Sequence, residues 1–575
     1  MTISEGTMKT SRTTITRPGV HPSEVVGKPA PPPLRRESIT THGLRLEKDL
    51  AIVLRDNTTI YADAYLPEYE EAYPVLLAWG PYGKHWVTDR MFPGADVDPE
   101  WISPLTGFEA PDPVFWCANG YAVVLVDPRG LWHSEGIFPH NGPQEREDLY
   151  DTIEWIGSQH WCSGNVGMLG VSYLAGSQYQ AAAARPPSLK AINPWECFSD
   201  WYREFAYHGG IPETGFRPRV SQNVSYSLNG TEDPEANVIA RPLDDPYYAD
   251  KYGQLHEIDI PAYVVASWSD HGLHTRGTLA AYSAIGSEQK WLEVHGQKKW
   301  RQFYAPESRA RQLAFFDTFL KGEDRGLERW PSVRLEVRDD PRKNRARWVE
   351  QAFWPPAGDY RSLNLDMATR QLTPEVTPAG ELRIDPLSES VELRYVFDRD
   401  TDLIGPMSLR LWLRVDLGEG ADPEVALDAD VFVIVRKLDR AGDEVTFPIN
   451  ALFSDGPVAL GWLRASHRAL DPVRSTALVP WHPHTGEQTL ETGVPVPLEI
   501  EVWPQATHFA AGESLMLVVQ GRDYNVRPPV AGRPPLQILH EDLRNRGAWT
   551  LLAGPCYDSR LRIPVDQASV RDGQW

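Results

Sequence analysis

The chain is poor in cysteine and methionine, with 4 Cys and 7 Met among 575 residues. The thiols, Cys117, Cys162, Cys197 and Cys556, are too far apart for a zinc pattern or a disulfide framework. They read as reduced thiols of a cytoplasmic protein. The N-terminus lacks the apolar core of a signal peptide, and no run of about 20 apolar residues exists to span a bilayer. The sequons at Asn57, Asn223 and Asn229 therefore carry no weight. Positive charge is also short. Lys and Arg total 57 against 79 Asp and Glu, a formal net charge of −22. That balance excludes nucleic acid and anionic membrane as partners. A homo-oligomer is compatible with it.

Tryptophan is abundant, at 21 residues. Most should pack in cores, and some should line a cleft. Residues 1–40 are polar and contain the run Pro31–Pro33, the composition of a flexible arm. From residue 41 short apolar runs alternate with helical spacing: Pro74–Ala78, Tyr121–Val126, Val166–Leu169, Ala191-Ile192, Ala262–Ala266 and Trp291–Val294. This rhythm predicts an α/β fold with a mostly parallel sheet. Residues 195–258 interrupt it with aromatics and prolines and read as a cap inserted between core segments 41–194 and 259–328. From residue 329 to 575 runs such as Val333–Val337, Leu409–Leu413, Val431–Val435 and Leu515–Val519 recur without helices between them, which predicts a β jelly roll.

Gly170-Val171-Ser172-Tyr173 follows one of the predicted strands and precedes a small-residue helix. A serine on such a turn has its hydroxyl forced into an open cleft, and the amide of Tyr173 can donate to a developing oxyanion. Leu174 occupies the place of the second glycine in G-x-S-x-G. A serine needs an imidazole as base and a carboxylate to fix the imidazole's tautomer. In an α/β-hydrolase core these follow the serine at the ends of later strands. Asp270 follows the strand Ala262–Ala266, and His295 follows Trp291–Val294. The expected triad is therefore Ser172, Asp270 and His295, with His271 and His274 as rivals for the base.

Tyr121 to Gly130, then Ser134-Glu-Gly136, and Glu154-Trp155-Ile156 through Gly164-Asn165-Val166-Gly167 to Ser172-Tyr-Leu, resemble the signature of the cocaine esterase and X-prolyl dipeptidyl-peptidase-like hydrolases (CocE/NonD). The resemblance covers roughly residues 45–570, and Trp462–His467 is similar to a recurring piece of the family's last, galactose-binding-like jelly-roll domain. It implies an α/β-hydrolase core and an oxyanion hole of one amide and one tyrosine hydroxyl. Gly80-Pro81-Tyr82-Gly83-Lys84 matches the family's Pro-Tyr motif, which gives Tyr82 the hydroxyl role. The cocaine esterase branch has Gly-Pro-Trp-x-His after the last strand, where this chain has Val294-His295-Gly296-Gln-Lys-Lys-Trp300.

The expected reaction is cleavage of an ester or amide bond in a small acyl substrate through an acyl-enzyme on Ser172. It needs no metal and no organic cofactor. Asp270, His271 and His274 as metal ligands lack a second ligand cluster, and His482-Pro-His484 reads as surface loop. His208, Trp195 and Trp268 are candidate substrate contacts. An amino-terminal peptidase or acylase would need a cap carboxylate for the substrate ammonium, with Glu196, Asp200, Glu204 and Glu213 as candidates. A carbohydrate-binding protein with an idle hydrolase core is a third reading.

Overall fold

The structure is a computed structural model that describes residues 14–20, 32–69, 71–84, 94–223, 226–251, 253–343, 345–356, 359–417, 426–528 and 536–566. Much of the expected arm, residues 1–13 and 21–31, lies outside the described residues. Within the described part of that arm, the strand Thr16–Pro18 pairs with Gly230–Glu232 of the cap region.

The core is one sheet of eleven strands: β1 (Glu37–Thr41), β2 (Leu44–Val53), β3 (Thr59–Pro67), β4 (Tyr73–Trp79), β5 (Ala122–Asp127), β6 (Cys162–Val171), β7 (Leu189–Trp195), β8 (Ala262–Ser267), β9 (Lys290–His295), β10 (Val333–Asp340) and β11 (Arg345–Gln351). Their spatial order is β1-β2-β3-β5-β4-β6-β7-β8-β9-β10-β11. Strands β5 through β10 run parallel, and antiparallel strands cover both edges. The central strands are buried along their whole length, which is why their sequences read as continuous apolar runs. Helices α1 (Pro143–Gly157), α2 (Tyr173–Ala184), α3 (Thr275–Ala284) and α4 (Lys299–Tyr304) fill the connections that bear on the site. The α/β-hydrolase reading of the core stands.

The family signature around Asp127-Pro-Arg129-Gly130 is scaffold. Arg129 donates to both carboxylate oxygens of Asp148 on α1, at 2.7 and 2.8 Å. Gly130 has φ 77°, and a Cβ there would come within 2.2 Å of the Phe138 amide nitrogen.

The C-terminal part is β-rich. The long strand Thr401–Asp416 pairs antiparallel with Val496–Phe509, and Asp430–Leu438 lies between Ala459–Arg464 and Ser514–Gln520. Alternating residues such as Leu409, Leu411, Leu413, Leu498, Ile500 and Val502 fill its own core. It meets the hydrolase sheet at Arg338 on β10, opposite Thr507. There Arg338 is buried, donates to the Val458 carbonyl at 2.9 Å and lies over the Phe447 ring.

Candidate active site

Ser172 is held at φ 61° and ψ −117° between β6 and α2. This backbone region is costly for a side-chain-bearing residue and is kept only where the surroundings impose it. They do so here: the Ser172 amide donates to the Trp195 carbonyl at 2.9 Å, and the Val171 amide donates to the Glu109 carbonyl at 3.1 Å. Leu174 replaces the second glycine of the usual elbow without a clash. The space it needs comes from Gly80 and Gly170, where an added Cβ would approach Leu174 carbons to 2.2 and 2.5 Å.

Ser172 Oγ lies 3.2 Å from Nε2 of His274 and can donate to it. Nδ1 of His274 makes a short bond to Oδ2 of Asp270. The two residues are four apart at the turn that opens α3, where the Asp270 carbonyl accepts from the amides of Leu273, His274 and Thr275. That spacing puts both side chains on one face. Lys299, the first residue of α4, places Nζ 3.1 Å from Asp270 Oδ2 and 3.3 Å from His274 Nδ1. Phe198 stacks over the His274 ring with centroids 6.1 Å apart.

The charges follow from this packing. Burial alone would raise the Asp270 carboxyl, but Lys299 and His274 outweigh it and hold it below the usual carboxylate range. Burial, and then Lys299, push His274 below the ordinary imidazole range, with Asp270 only partly opposing them. Burial lifts Glu109 to about 7 against the pull of Lys299, Trp300 and Tyr82.

Tyr82 sits in hydrogen-bonding reach of Ser172 and Glu109, edge-on to Phe108 at 4.8 Å. Its loop is pinned from behind. The Lys84 amide donates to Asp127 at 2.7 Å, and Lys84 Nζ binds Asp63 at 2.8 Å and also Asp49. Gly83, at φ 95°, passes so close to the Trp132 ring that a Cβ would meet it at 2.2 Å. Tyr173 supplies the first amide of α2, beside the nucleophile, while its hydroxyl donates to buried Glu145 at 2.8 Å. Ser172, Asp270, His274, Lys299, Tyr82, Glu109 and Tyr173 line one cavity whose remaining walls are mostly aromatic and aliphatic. Phe198, Trp201, Phe205 and Phe216 come from the 195–258 segment, and Leu536 and Ile538 come from the β-rich part.

The structure thus brings Ser172, Asp270, Tyr82 and Tyr173 together, with His274 as the imidazole between serine and acid. His295, the expected base, is elsewhere. It is buried at the end of β9 with Nε2 3.1 Å from Glu196 Oε1 and its ring beside Trp195. The neighbour Glu196 already accepts from Ser267. Three other expectations are also corrected. His208 bonds His540 at 2.8 Å and packs on Trp462, away from the cavity. Trp195 and Trp268 are core residues, their indoles donating to Asn193 and to the Glu336 carbonyl. None of the three lines the cavity. His482 and His484, expected on a surface loop, are buried. His274, one of the two rivals for the base, carried a readable signal in its i, i+4 spacing from Asp270. Lys299 and Glu109 had no such signal. Among the described residues, no group of three His, Cys, Asp or Glu is placed to hold a metal, and no helix is long and apolar enough to cross a membrane.

Residues 56–241 match the X-Pro dipeptidyl-peptidase (S15 family) profile, and residues 325–562 match the X-Pro dipeptidyl-peptidase C-terminal non-catalytic domain. A crystal structure of a CocE/NonD family hydrolase from Staphylococcus aureus is similar over 95% of this chain and 98% of its own, at 35% identity and a TM-score of 0.87. The cocaine esterase of a Rhodococcus strain is 38% identical over 53% of this chain and 60% of its own length. A Xaa-Pro dipeptidyl-peptidase of Lactobacillus delbrueckii subsp. lactis is 32% identical over 47% of this chain and 39% of its own. The chain therefore spans less than two thirds of either curated relative.

Proposed function

The chain belongs to the CocE/NonD family of hydrolases, and we propose that it is a serine esterase that cleaves neutral esters of an apolar acyl group through an acyl-enzyme on Ser172. The observation that carries this reading is the Ser172–His274–Asp270 relay at the wall of an apolar cavity. In the reaction, Ser172 Oγ attacks the ester carbonyl as His274 Nε2 takes its proton. Asp270 keeps Nδ1–H of the imidazole engaged and stabilises the imidazolium that forms. The carbonyl oxygen becomes an oxyanion between the Tyr82 hydroxyl and the Tyr173 amide, two donors worth on the order of 3 kcal/mol each. His274 then delivers the proton to the leaving alkoxide. Water, deprotonated by the same nitrogen, releases the acid and restores Ser172.

The preference for a neutral acyl group rests on how the cap carboxylates are occupied. A peptidase that captures a substrate ammonium needs one to spare. Glu204 is bound to Arg276 at 2.7 Å, and Asp200 to Arg203 at 2.9 Å. Glu213 accepts from the amides of Gly215, Phe216 and Arg217, and Glu196 faces Ser267 and His295. None of the four lines the cavity. The β-rich part, read as a jelly roll, serves here as a wall of the site through Leu536 and Ile538, which weighs against an idle core beside a carbohydrate-binding module. The test is a panel of aryl and alkyl esters against Xaa-Pro anilides. The expected result is kcat/KM at least 100-fold higher for neutral esters, and a higher value for the anilides would overturn the preference.

A further inference from the structure

The reaction just described gives no part to a buried cation beside its own relay. Lys299 is 4% exposed, and its ammonium is wedged against Asp270 and His274 at 3.1 and 3.3 Å. The residue after it, Trp300, donates its indole N–H to Glu109 at 2.9 Å, and Glu109 faces the hydroxyl of Tyr82. The first two residues of α4 therefore hold both halves of the machinery, the acid of the relay and the carboxyl behind the oxyanion tyrosine.

We propose that Lys299 is a positioning residue of the reaction: its ammonium anchors Asp270 and offsets its charge, so that His274 stays unprotonated and able to act as base in mildly acidic solution. This rests on the Ser172–His274–Asp270 reading. A bare carboxylate beside an imidazole favours the imidazolium, and a cation beside the same imidazole disfavours it. The groups facing His274 are Asp270 from its own turn, Lys299 from α4, Glu196 from just past β7 and Ser172 from the nucleophile turn. Those facing Lys299 are Asp270, Glu109 and Glu196. Of these carboxyls Glu109 is lifted to about 7 by burial and is largely uncharged below neutrality, and Asp270 is the one that Lys299 touches, at 3.1 Å.

The sign is fixed by the geometry. Removing the ammonium removes a positive charge that opposes the imidazolium, so the base protonates at higher pH. In K299M the acid limb of kcat/KM, which reports the free enzyme, should move up by about 1–3 pH units. Activity on that limb then falls at least tenfold relative to wild type while activity above it changes far less. K299Q keeps a hydrogen bond to Asp270 without the charge and should move the limb the same way, and K299R should return it. A packing role alone would lower the plateau and leave the limb in place, and that outcome in a variant with an intact melting transition overturns the proposal. The wild-type chain gives a test that needs no variant. The rate of fluorophosphonate labelling of Ser172 against pH should have its acid limb below the ordinary imidazole value of about 6.5. A limb at or above that value overturns the role of Lys299, whereas absence of labelling would overturn the serine hydrolase reading instead.

Discussion

Two histidines stand at the ends of two neighbouring parallel strands, and only one faces Ser172. His274 lies in the turn after β8, on the face of Asp270, with Ser172 Oγ at 3.2 Å. His295 ends β9 itself, where the strand directs its ring into the core beside Glu196 and Trp195. Each lies beside a carboxylate, and each is buried. What separates them is the cavity. The relay lines it with Ser172, Asp270 and His274, whereas His295 and Glu196 do not reach it. A histidine–carboxylate contact thus stands in the core in one place and beside a serine at the cavity wall in the other, and the proposed relay rests on that serine.

The largest effects should come from breaking the first arrangement. Ser172→Ala and His274→Ala should each lower kcat by on the order of 10⁴–10⁶, since members of a relay act as a unit. Fluorophosphonate labelling should vanish in the first and nearly vanish in the second. If His295→Gln is the dead variant and His274→Ala stays active, the assignment of the base fails. Tyr82→Phe comes next. It should lower kcat by about 10²–10³ with KM little changed, because a donor used only in the transition state is lost. An unchanged kcat would place Tyr82 outside the oxyanion hole.

The second arrangement should respond in stability. His295→Gln should leave kcat within a few-fold but cost about 1–3 kcal/mol, since a ring packed beside Trp195 in the core is replaced by a side chain that does not fill its space. A thermal melt and a kcat measurement on one preparation separate the two outcomes, and a loss of kcat beyond 100-fold without a stability change would reverse the comparison.

The strands were legible because strands of a parallel sheet carry their own signature. Val166–Leu169, Ala262–Ala266 and Trp291–Val294 lie in β6, β8 and β9. The strand-to-helix turn at Ser172 was legible because such a turn demands small neighbours. The base was not, because chain order offers a histidine after each strand and says nothing about where a side chain points. The i, i+4 spacing of Asp270 and His274 held that information, since a turn of helix brings such residues together. Lys299 was hidden for another reason. Its role depends on α4 packing against the turn before α3, a contact between segments far apart in sequence. Trp195 and Trp268 misled because strand ends can face either the cleft or the core, and here large rings fill the core.

His271, the third histidine of the pair of loops, sharpens the comparison at its weakest end. It directly follows Asp270 yet points away from the cavity, toward the β-rich part, where its Nδ1 accepts from the Leu460 amide at 3.3 Å and its ring lies near Trp503. Burial, with Arg338 nearby, pushes it down to about 3. A histidine whose folded value is depressed binds its proton more readily in the unfolded chain. Its contribution to stability is therefore fully present above the unfolded value near 6.5 and is lost as pH falls from there toward about 3. The slope is at most about 1.4 kcal/mol per pH unit for one such residue. His140, His208, His482 and His484 are depressed by burial in the same direction, so the chain should lose stability steeply below pH ~6. His271→Gln removes one titrating group from that set. Its melting temperature at pH 8 should drop by a few degrees through the lost packing, its kcat should stay within a few-fold of wild type, and its stability should fall less steeply between pH 6 and 4. A kcat loss of several orders of magnitude would instead make His271 part of the catalytic relay, and an unchanged acid slope would mean that its imidazole is not held neutral between the two parts of the chain.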